Sequence, residues 1–381
     1  MSDNVSDSKI LKIMTFKSGQ FVFSSKFEPV IKEGLLRAKV LYCSFKDLPI
    51  LPAAASRIYE DLIRRSIFGT AAIEGNPLNE SRVKEIIDEP SVEKIKENAE
   101  REIVNLKNAY DVALEIAKEK DFKLTESIIK KVHYLIVKDL NDEEMLPGIY
   151  RNQVVKVGNV EHGGIYTPPK TRADIKNLMK VFIEWLASDR IKKVDPIIKA
   201  GIAHYHFCLI HPFADGNGRT ARLIEAIILF NADIKYIPIM LSNYYYSNID
   251  QYYTVFSKTI KAKNNSITYF IKFVIDGFTK STEVVSISVK DLIRTMLLKQ
   301  YYEINLRARF FTQRQFDLIN YLLTHSAKIT LKDLFTKTPY KFIYKDVSER
   351  TARRDLDKLT KGNFLITESG MLYKVNRQII D

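Results

Sequence analysis

The sequence has only two cysteines, Cys43 and Cys208, among 381 residues. Two thiols cannot build a disulfide framework, so a reducing compartment is expected. A long apolar run is also missing. The greasiest stretch, LIEAIILF, is short and carries Glu225, well below the ~20 residues of a membrane span. The opening MSDNVSDSKI is polar and holds no hydrophobic signal core. Internal repeats and low-complexity tracts are absent. These absences lead to the expectation of a cytoplasmic protein without a membrane partner. Acidic residues are in deficit, 46 against 59 Lys and Arg, for a net charge of +13. That balance suits a nucleotide, a nucleic acid or an acidic protein and does not choose among them.

What is present is globular. Hydrophobic residues make up 46% and aromatics 11% of the chain, enough for a sizeable core and, at this length, two or three domains. FVFSSKF alternates and predicts a small hairpin within 11–30. From Pro52 the pattern turns helical and stops at Gly75-Asn76-Pro77, a strong terminator. Helical patterns cover 92–119 and 125–139. QVVKVGNVEHGGIYTP, 153–168, interrupts them with two segments of strand composition around Gly163-Gly164, which predicts a lone hairpin. Asp195-Pro196 begins a helix that is apolar nearly all round and therefore buried. LIEAIILF reads the same way, and helices follow to about 307.

Between those two buried helices stands HPFADGNGRTAR, 211–222. Gly216 and Gly218 flank Asn217 and permit backbone angles that turn N–H groups inward as an anion nest at a helix amino end. Arg219 and Arg222 share one face of the first turns. There they oppose the helix dipole, so an anion between them is expected, a nucleoside polyphosphate rather than one phosphate. Asp215 is close enough to that anion to call for a bridging Mg²⁺. His211 is the natural base for a hydroxyl attacking phosphorus, and Phe213 packs inward to fix the loop. Each feature alone has an ordinary structural explanation. Gathered between apolar helices, they have no economical one.

HPFADGNGRTAR resembles the Fic-domain signature H-P-F-x-D/E-G-N-G-R-x-x-R at every defined position. LPGIYRNQVVKVG with IYTPP, IIKAGIAHYHF, LSNYYYSNIDQYY and ITYFIKFVIDGF resemble the surrounding segments of that family, so the likeness runs from about residue 50 to 280. The resemblance implies a mainly α fold, a helical core with a β-hairpin flap, and transfer of AMP from ATP to a Ser, Thr or Tyr hydroxyl of a target protein. It implies His211 as base, Asp215 as Mg²⁺ ligand, and Phe213, Gly216, Asn217 and Gly218 as the nucleotide-binding loop. Arg219 and Arg222 are implied to hold the phosphates and assist catalysis. Gly218 stands where the kinase-like branch of the family carries Lys, which favours nucleotidyl transfer. The hairpin would pair with an extended target segment, with Tyr166 and Thr167 lining it.

Glu74 is predicted in the last turn of its helix, where a carboxylate opposes the dipole, and Arg222 has the mirror-image conflict. Pairing relieves both, with Thr70 one turn back steadying Glu74. TAAIEGN resembles the inhibitory motif of Fic proteins whose inhibitory helix precedes the core, and some of those use the glutamate for de-AMPylation. Tyr252 and Tyr253 are candidates to stack on adenine. Helical and strand patterns in 309–381, with fourteen Lys and Arg against eight Asp and Glu, suggest a winged helix-turn-helix with Arg350, Arg353 and Arg354 on its third helix. The expected domains are an N-terminal region 1–110 with the inhibitory helix, a Fic core 111–285, a helical linker 286–308 and the winged helix 309–381. DNA or protein as partner of the last, UTP as donor, a nucleotide-sensing DNA-binding regulator in place of an enzyme, and a homodimer all stay open.

Overall fold

The computed structural model describes residues 11–16, 19–89, 97–119, 122–140, 146–369 and 371–379. The chain divides into two compact units, 1–286 and 287–381.

The first unit opens with strands β1 (Leu11–Phe16) and β2 (Gly19–Ser24), paired antiparallel with Leu11 opposite Ser24. Phe21 and Phe23 of β2 are buried, and Phe23 lies against Phe182 and Trp185. The strand pair thus caps the helical body. Helices α1 (Ile31–Lys46), α2 (Pro52–Ile73), α3 (Glu80–Asp88), α4 (Asn98–Ala117) and α5 (Glu126–Val137) follow. The sequence patterns had shown neither α1 nor α3. Their apolar stripes are narrow, with only Ile31, Ala38 and Phe45 buried in α1 and Val83 and Ile86 in α3. The start of the pattern expected from 92 lies outside the described residues.

Two buried helices form the centre, α8 (Pro196–Ile210) and α9 (Asn217–Asn231), packed on each other. They follow α6 (Arg172–Leu186) and the short α7 (Asp189–Lys192). Asp195 caps α8 by accepting from the Ile197 N–H at 3.0 Å, with Pro196 in its first turn. Helices α10 (Ile237–Ser247) and α11 (Ile249–Ile260) and the first part of α12 (Thr268–Arg307) complete the unit, and α10 packs along α2.

Residues 153–168 form a short hairpin. The two arms meet in an antiparallel bridge, Val157 with Tyr166, exchanging N–H···O bonds of 2.9 and 2.8 Å. Two residues further in, the Gly164 N–H donates to the Asn159 carbonyl at 2.8 Å. Side chains also hold the tip: the Gly163 carbonyl accepts from Ser257 Oγ at 2.8 Å and Lys261 Nζ at 2.5 Å.

The second unit contains α13 (Gln313–His325), β3 (Lys328–Ile329), α14 (Asp333–Thr336), α15 (Tyr340–Ile343), α16 (Glu349–Lys361), β4 (Leu365–Glu368) and β5 (Leu372–Val375). The sheet order is β3-β5-β4, all antiparallel. Thr312 and Gln315 form a capping box at α13, and Ser348 caps α16 through the Thr351 N–H. Leu318, Leu322, Leu356 and Leu359 share one apolar core with Phe364. Gly370, between β4 and β5 in the sequence, lies outside the described residues.

Candidate active site

The turn joining α8 to α9 is built from unusual backbone. α8 ends at His211, which has φ of 49°, a left-handed conformation that disfavours a side chain with Cβ. What holds it there is Arg151. Its Nε donates to the His211 carbonyl at 2.7 Å, and its backbone N–H donates to the Pro212 carbonyl at 3.0 Å. The remaining guanidinium nitrogens donate to the carbonyls of Gln153 (2.7 Å) and Pro169 (2.8 Å). Arg151 is 3% exposed, and those three acceptors are neutral carbonyls. One buried guanidinium therefore ties the turn to Gln153 and Pro169, at the two ends of the 153–168 segment.

The middle of the turn rests on His133 of α5. Its Nδ1 accepts from the Gly148 N–H at 2.9 Å, so Nε2 carries the proton and donates to the Asp215 carbonyl at 2.9 Å. The ring stacks on buried Phe213 at 3.6 Å between centroids, nearly parallel. Asn217 locks the turn from within. Its side-chain oxygen accepts from the Phe213 N–H and its amide donates to the Phe213 carbonyl, both at 2.9 Å. The Asn217 side chain is thus engaged with the loop itself, so it shapes a cradle without reaching into it. Gly216, with φ of 75°, opens α9. A Cβ there would lie 2.8 Å from Val137 Cγ1.

Gly218 departs from the expectation. It sits inside α9, in ordinary helical backbone. Its lack of a side chain serves space: a Cβ would collide with the Glu74 carboxylate and stand 3.1 Å from Arg222 Nη1.

Arg222 meets Glu74 as expected, and Arg219 has carboxylates of its own. Arg219 donates to Glu102 of α4 at 2.5 Å and to Asp215. Arg222 donates through Nη2 to Glu74 at 2.7 Å. Thr70 serves Arg222 rather than Glu74: its Oγ accepts from Nε at 2.7 Å and its carbonyl from Nη2 at 3.2 Å. Arg222 is fully buried, and burial works against its charge. Glu74 more than offsets this and raises its pKa above the usual arginine range. Glu102 had no signal in the sequence, lying 117 positions from Arg219. Its other oxygen accepts from Asn76 Nδ2 at 2.8 Å.

Glu74 is aimed by a helix stop. Gly75 has φ of 88°, its N–H donates to Ala72, and the Asn76 N–H reaches back to Ala71 at 3.1 Å. This is the Schellman geometry of a left-handed glycine one residue past the helix end. It turns the chain away and leaves the Glu74 side chain facing α9.

Titration follows burial. His211 is pushed down to about 4 by desolvation, against its Nδ1 contact with the Cys208 carbonyl at 3.3 Å. At neutral pH the imidazole is uncharged, and with the proton on Nδ1 its Nε2 is an acceptor. Burial would raise the Asp215 carboxyl, but Arg219 and the Gly216 N–H outweigh it and hold it below the usual range. No cluster of three or more His, Cys, Asp or Glu suited to a metal occurs among the described residues. Asp215 alone, about half exposed, fits a Mg²⁺ ion whose other ligands come from phosphate and water.

Tyr166 is half-buried and Thr167 exposed on the bridge arm. Tyr252 cannot stack on a base. It is 3% exposed, with its ring parallel to Tyr245 at 5.1 Å. Tyr253 donates to the Ile73 carbonyl at 3.0 Å, beside the end of α2.

Residues 123–229, from the lead into α5 to the end of α9, match the Fic/DOC family model. That stretch is similar to a Fic domain. Over 243 residues it is 28% identical to the protein adenylyltransferase Fic of Drosophila ananassae, covering 63% of this chain and 45% of that protein. It is 30% identical over 194 residues to the protein adenylyltransferase fic-1 of Caenorhabditis elegans, covering 48% and 35%. The chain thus spans about half or less of the length of these curated relatives. A Fic family protein from Desulfovibrio desulfuricans G20 superposes with a TM-score of 0.56 at 20% identity, covering 92% of this chain and 97% of that one. Fic-1 from C. elegans gives 0.55 at 22% identity, covering 68% and 73%. The mainly helical Fic fold is common to these structures. Among the described residues no helix is long and apolar enough to cross a membrane.

Proposed function

We propose that the Fic domain is an autoinhibited protein adenylyltransferase that moves AMP from ATP to a hydroxyl of a target protein. The observation that carries the reading is the occupancy of α9. Both of its arginines are held by carboxylates of this same chain, Glu102 and Glu74, at a helix amino end suited to phosphate. A site that attracts its own acids so strongly is suited to a polyanion, and the acid on Arg222 is the natural brake. The relatives named as adenylyltransferases support the same chemistry.

In the released state Arg222 takes the γ-phosphate in place of Glu74, and Arg219 takes phosphate oxygens nearer the bond that breaks. The target hydroxyl oxygen attacks the α-phosphorus, its proton passes to Nε2 of His211, and pyrophosphate leaves. Burial keeps that imidazole neutral before the step. Mg²⁺, held by Asp215, would neutralise phosphate charge. The arm carrying Tyr166 and Thr167 pairs with an extended target segment through main-chain bonds. In the same reading Glu74 orients water for removal of AMP. Two free thiols, Cys43 and Cys208, suit a cytoplasmic setting.

The test is α-labelled ATP with purified protein. Glu74→Gly should raise protein labelling, and His211→Ala added to it should remove the label. Labelling equal in wild type and Glu74→Gly would sink the brake; labelling that survives His211→Ala would sink the base. Labelled UTP in a parallel arm decides the donor.

A second proposal concerns the 287–381 unit. The order of α13, β3, α14 with α15, α16 and the β4–β5 pair supports a winged helix-turn-helix. Arg350, Arg353 and Arg354 are all exposed on α16, and we infer phosphate contact with duplex DNA. Binding should weaken steeply with salt. Absent or salt-insensitive binding would point to a protein partner.

A further inference from the structure

Arg222 has a second set of partners besides Glu74 and Thr70. Its Nη1 lies 3.5 Å from the Tyr252 hydroxyl. That hydroxyl is 2.9 Å from His204 Nε2, and His204 Nδ1 is 3.0 Å from Glu225 Oε2. The other carboxylate oxygen, Oε1, accepts from Tyr245 at 2.9 Å. Arg222, His204, Glu225, Tyr245 and Tyr252 are all at most 3% exposed. This is a chain of polar groups from the α9 guanidinium into the core, closed to water.

The direction of its hydrogen bonds follows from the inventory of donors. A guanidinium only donates, and an ionised carboxylate only accepts. Glu225 must therefore receive both the Tyr245 O–H and the His204 Nδ1–H. That leaves His204 Nε2 as an acceptor, so it takes the Tyr252 O–H. The lone pairs of the Tyr252 oxygen then face Arg222. Every donor points toward Glu225 and every bond is made once. In low dielectric such aligned bonds polarise one another. The buried charge of Glu225 is thereby presented to Arg222 through two rings.

We propose that Tyr252, aligned by His204 and Glu225, is a positioning residue that keeps Arg222 in place when Glu74 withdraws. Released Arg222 would otherwise be a buried cation secured only by Thr70, on the side from which the brake has left. The relay gives it a fixed, partly compensated position, with the Nη2 hydrogen that Glu74 held turned to the γ-phosphate. It acts only through Arg222, so it distinguishes nucleotides that reach that guanidinium from those that do not. This inference rests on the nucleotide reading of the site.

The experiment uses the full chain carrying Glu74→Gly and measures binding of ATP and of AMP by calorimetry. Adding Tyr252→Phe should weaken ATP about three- to tenfold, the range expected for one lost hydrogen bond, and leave AMP within about twofold. In turnover the loss should fall on KM for ATP rather than kcat. Glu225→Gln, which keeps Tyr252, should act in the same direction and add little to Tyr252→Phe, because both interrupt one chain. Melting temperatures establish that each variant is folded. Equal weakening of ATP and AMP would mean a merely structural role and overturn the inference, as would ATP affinity unchanged in both variants. If Glu74→Gly with Tyr252 intact binds no ATP, the nucleotide reading itself falls, and this inference with it. Binding retained there but indifferent to Tyr252 and Glu225 overturns this inference alone.

Discussion

Two helices of this protein carry arginines three residues apart near their amino ends: Arg219 and Arg222 on α9, Arg350 and Arg353 on α16. The local patterns are alike and the physics is opposite. On α9 both side chains are nearly inaccessible and each donates to a carboxylate from a distant part of the chain. On α16 both are exposed, and Arg353 meets only Glu349 of its own helix at 3.1 Å, with both side chains about two-thirds exposed. A surface pair of that kind contributes roughly 0–1 kcal/mol. A buried cation deprived of its partner is far more costly. The comparison teaches that a helix-start arginine becomes an anion site through what covers it.

The comparison can be broken in solution, and the widest gap is expected in catalysis. His211→Ala in the Glu74→Gly background should lower labelling by about a hundredfold or more, the usual range for loss of a general base. Any residual rate close to the parent would remove His211 from the chemistry. Glu74→Gly alone should raise labelling roughly ten- to hundredfold, since a hydrogen bond to a charged group is worth about 1.5–3 kcal/mol.

Stability should separate the helices next. Arg222→Ala strips the buried pair and should cost about 3–5 kcal/mol in denaturant unfolding. Arg353→Ala should stay within about 0.5 kcal/mol. Comparable losses at the two sites would erase the distinction drawn here.

Acid sharpens the picture further. His133, His206 and His211 are each pushed down to about 4 by burial. A histidine with a folded pKa below its unfolded value, near 6.5, binds its proton more readily in the unfolded chain. Stability from that source is complete above about pH 6.5 and is lost as pH falls toward 4. The slope is up to about 1.4 kcal/mol per pH unit for each histidine. Melting temperature should therefore fall as pH drops from 7 to 4.5, and His206→Gln, remote from α9, should flatten that fall. If His211 is the base, the acid limb of kcat/KM should lie near 4 rather than 6.5. A limb at 6.5 would mean that the imidazole is solvated during turnover.

Much of the site was legible because it is local. The turn from His211 to Arg222 brings His, Asp, Gly and two Arg together by sequence alone, and the glycine stop at Gly75 marks where Glu74 is released from its helix. The buried character of α8 and α9 was equally readable, since helices apolar on all faces have nowhere to go but the core. The lone hairpin was readable as well: Val157 and Tyr166 pair and the Gly164 N–H meets the Asn159 carbonyl. What holds its tip was not, because Ser257 of α11 and Lys261 after it lie far along the chain. Gly218 has a spacing that suggests a turn, whereas it lies inside α9, where a side chain would collide with Glu74.

By itself the sequence determined the helix breaks, the apolar helices and the cluster of charges between them, because capping, periodicity and backbone freedom act over a few residues. Only the tertiary structure decided that Glu102 meets Arg219, that Arg151 and His133 hold the turn, and that Glu225 stands behind Arg222. The first of those pairings joins positions 117 residues apart. A charge of the right type can be read in a sequence, but its partner is set by which helices exclude water together.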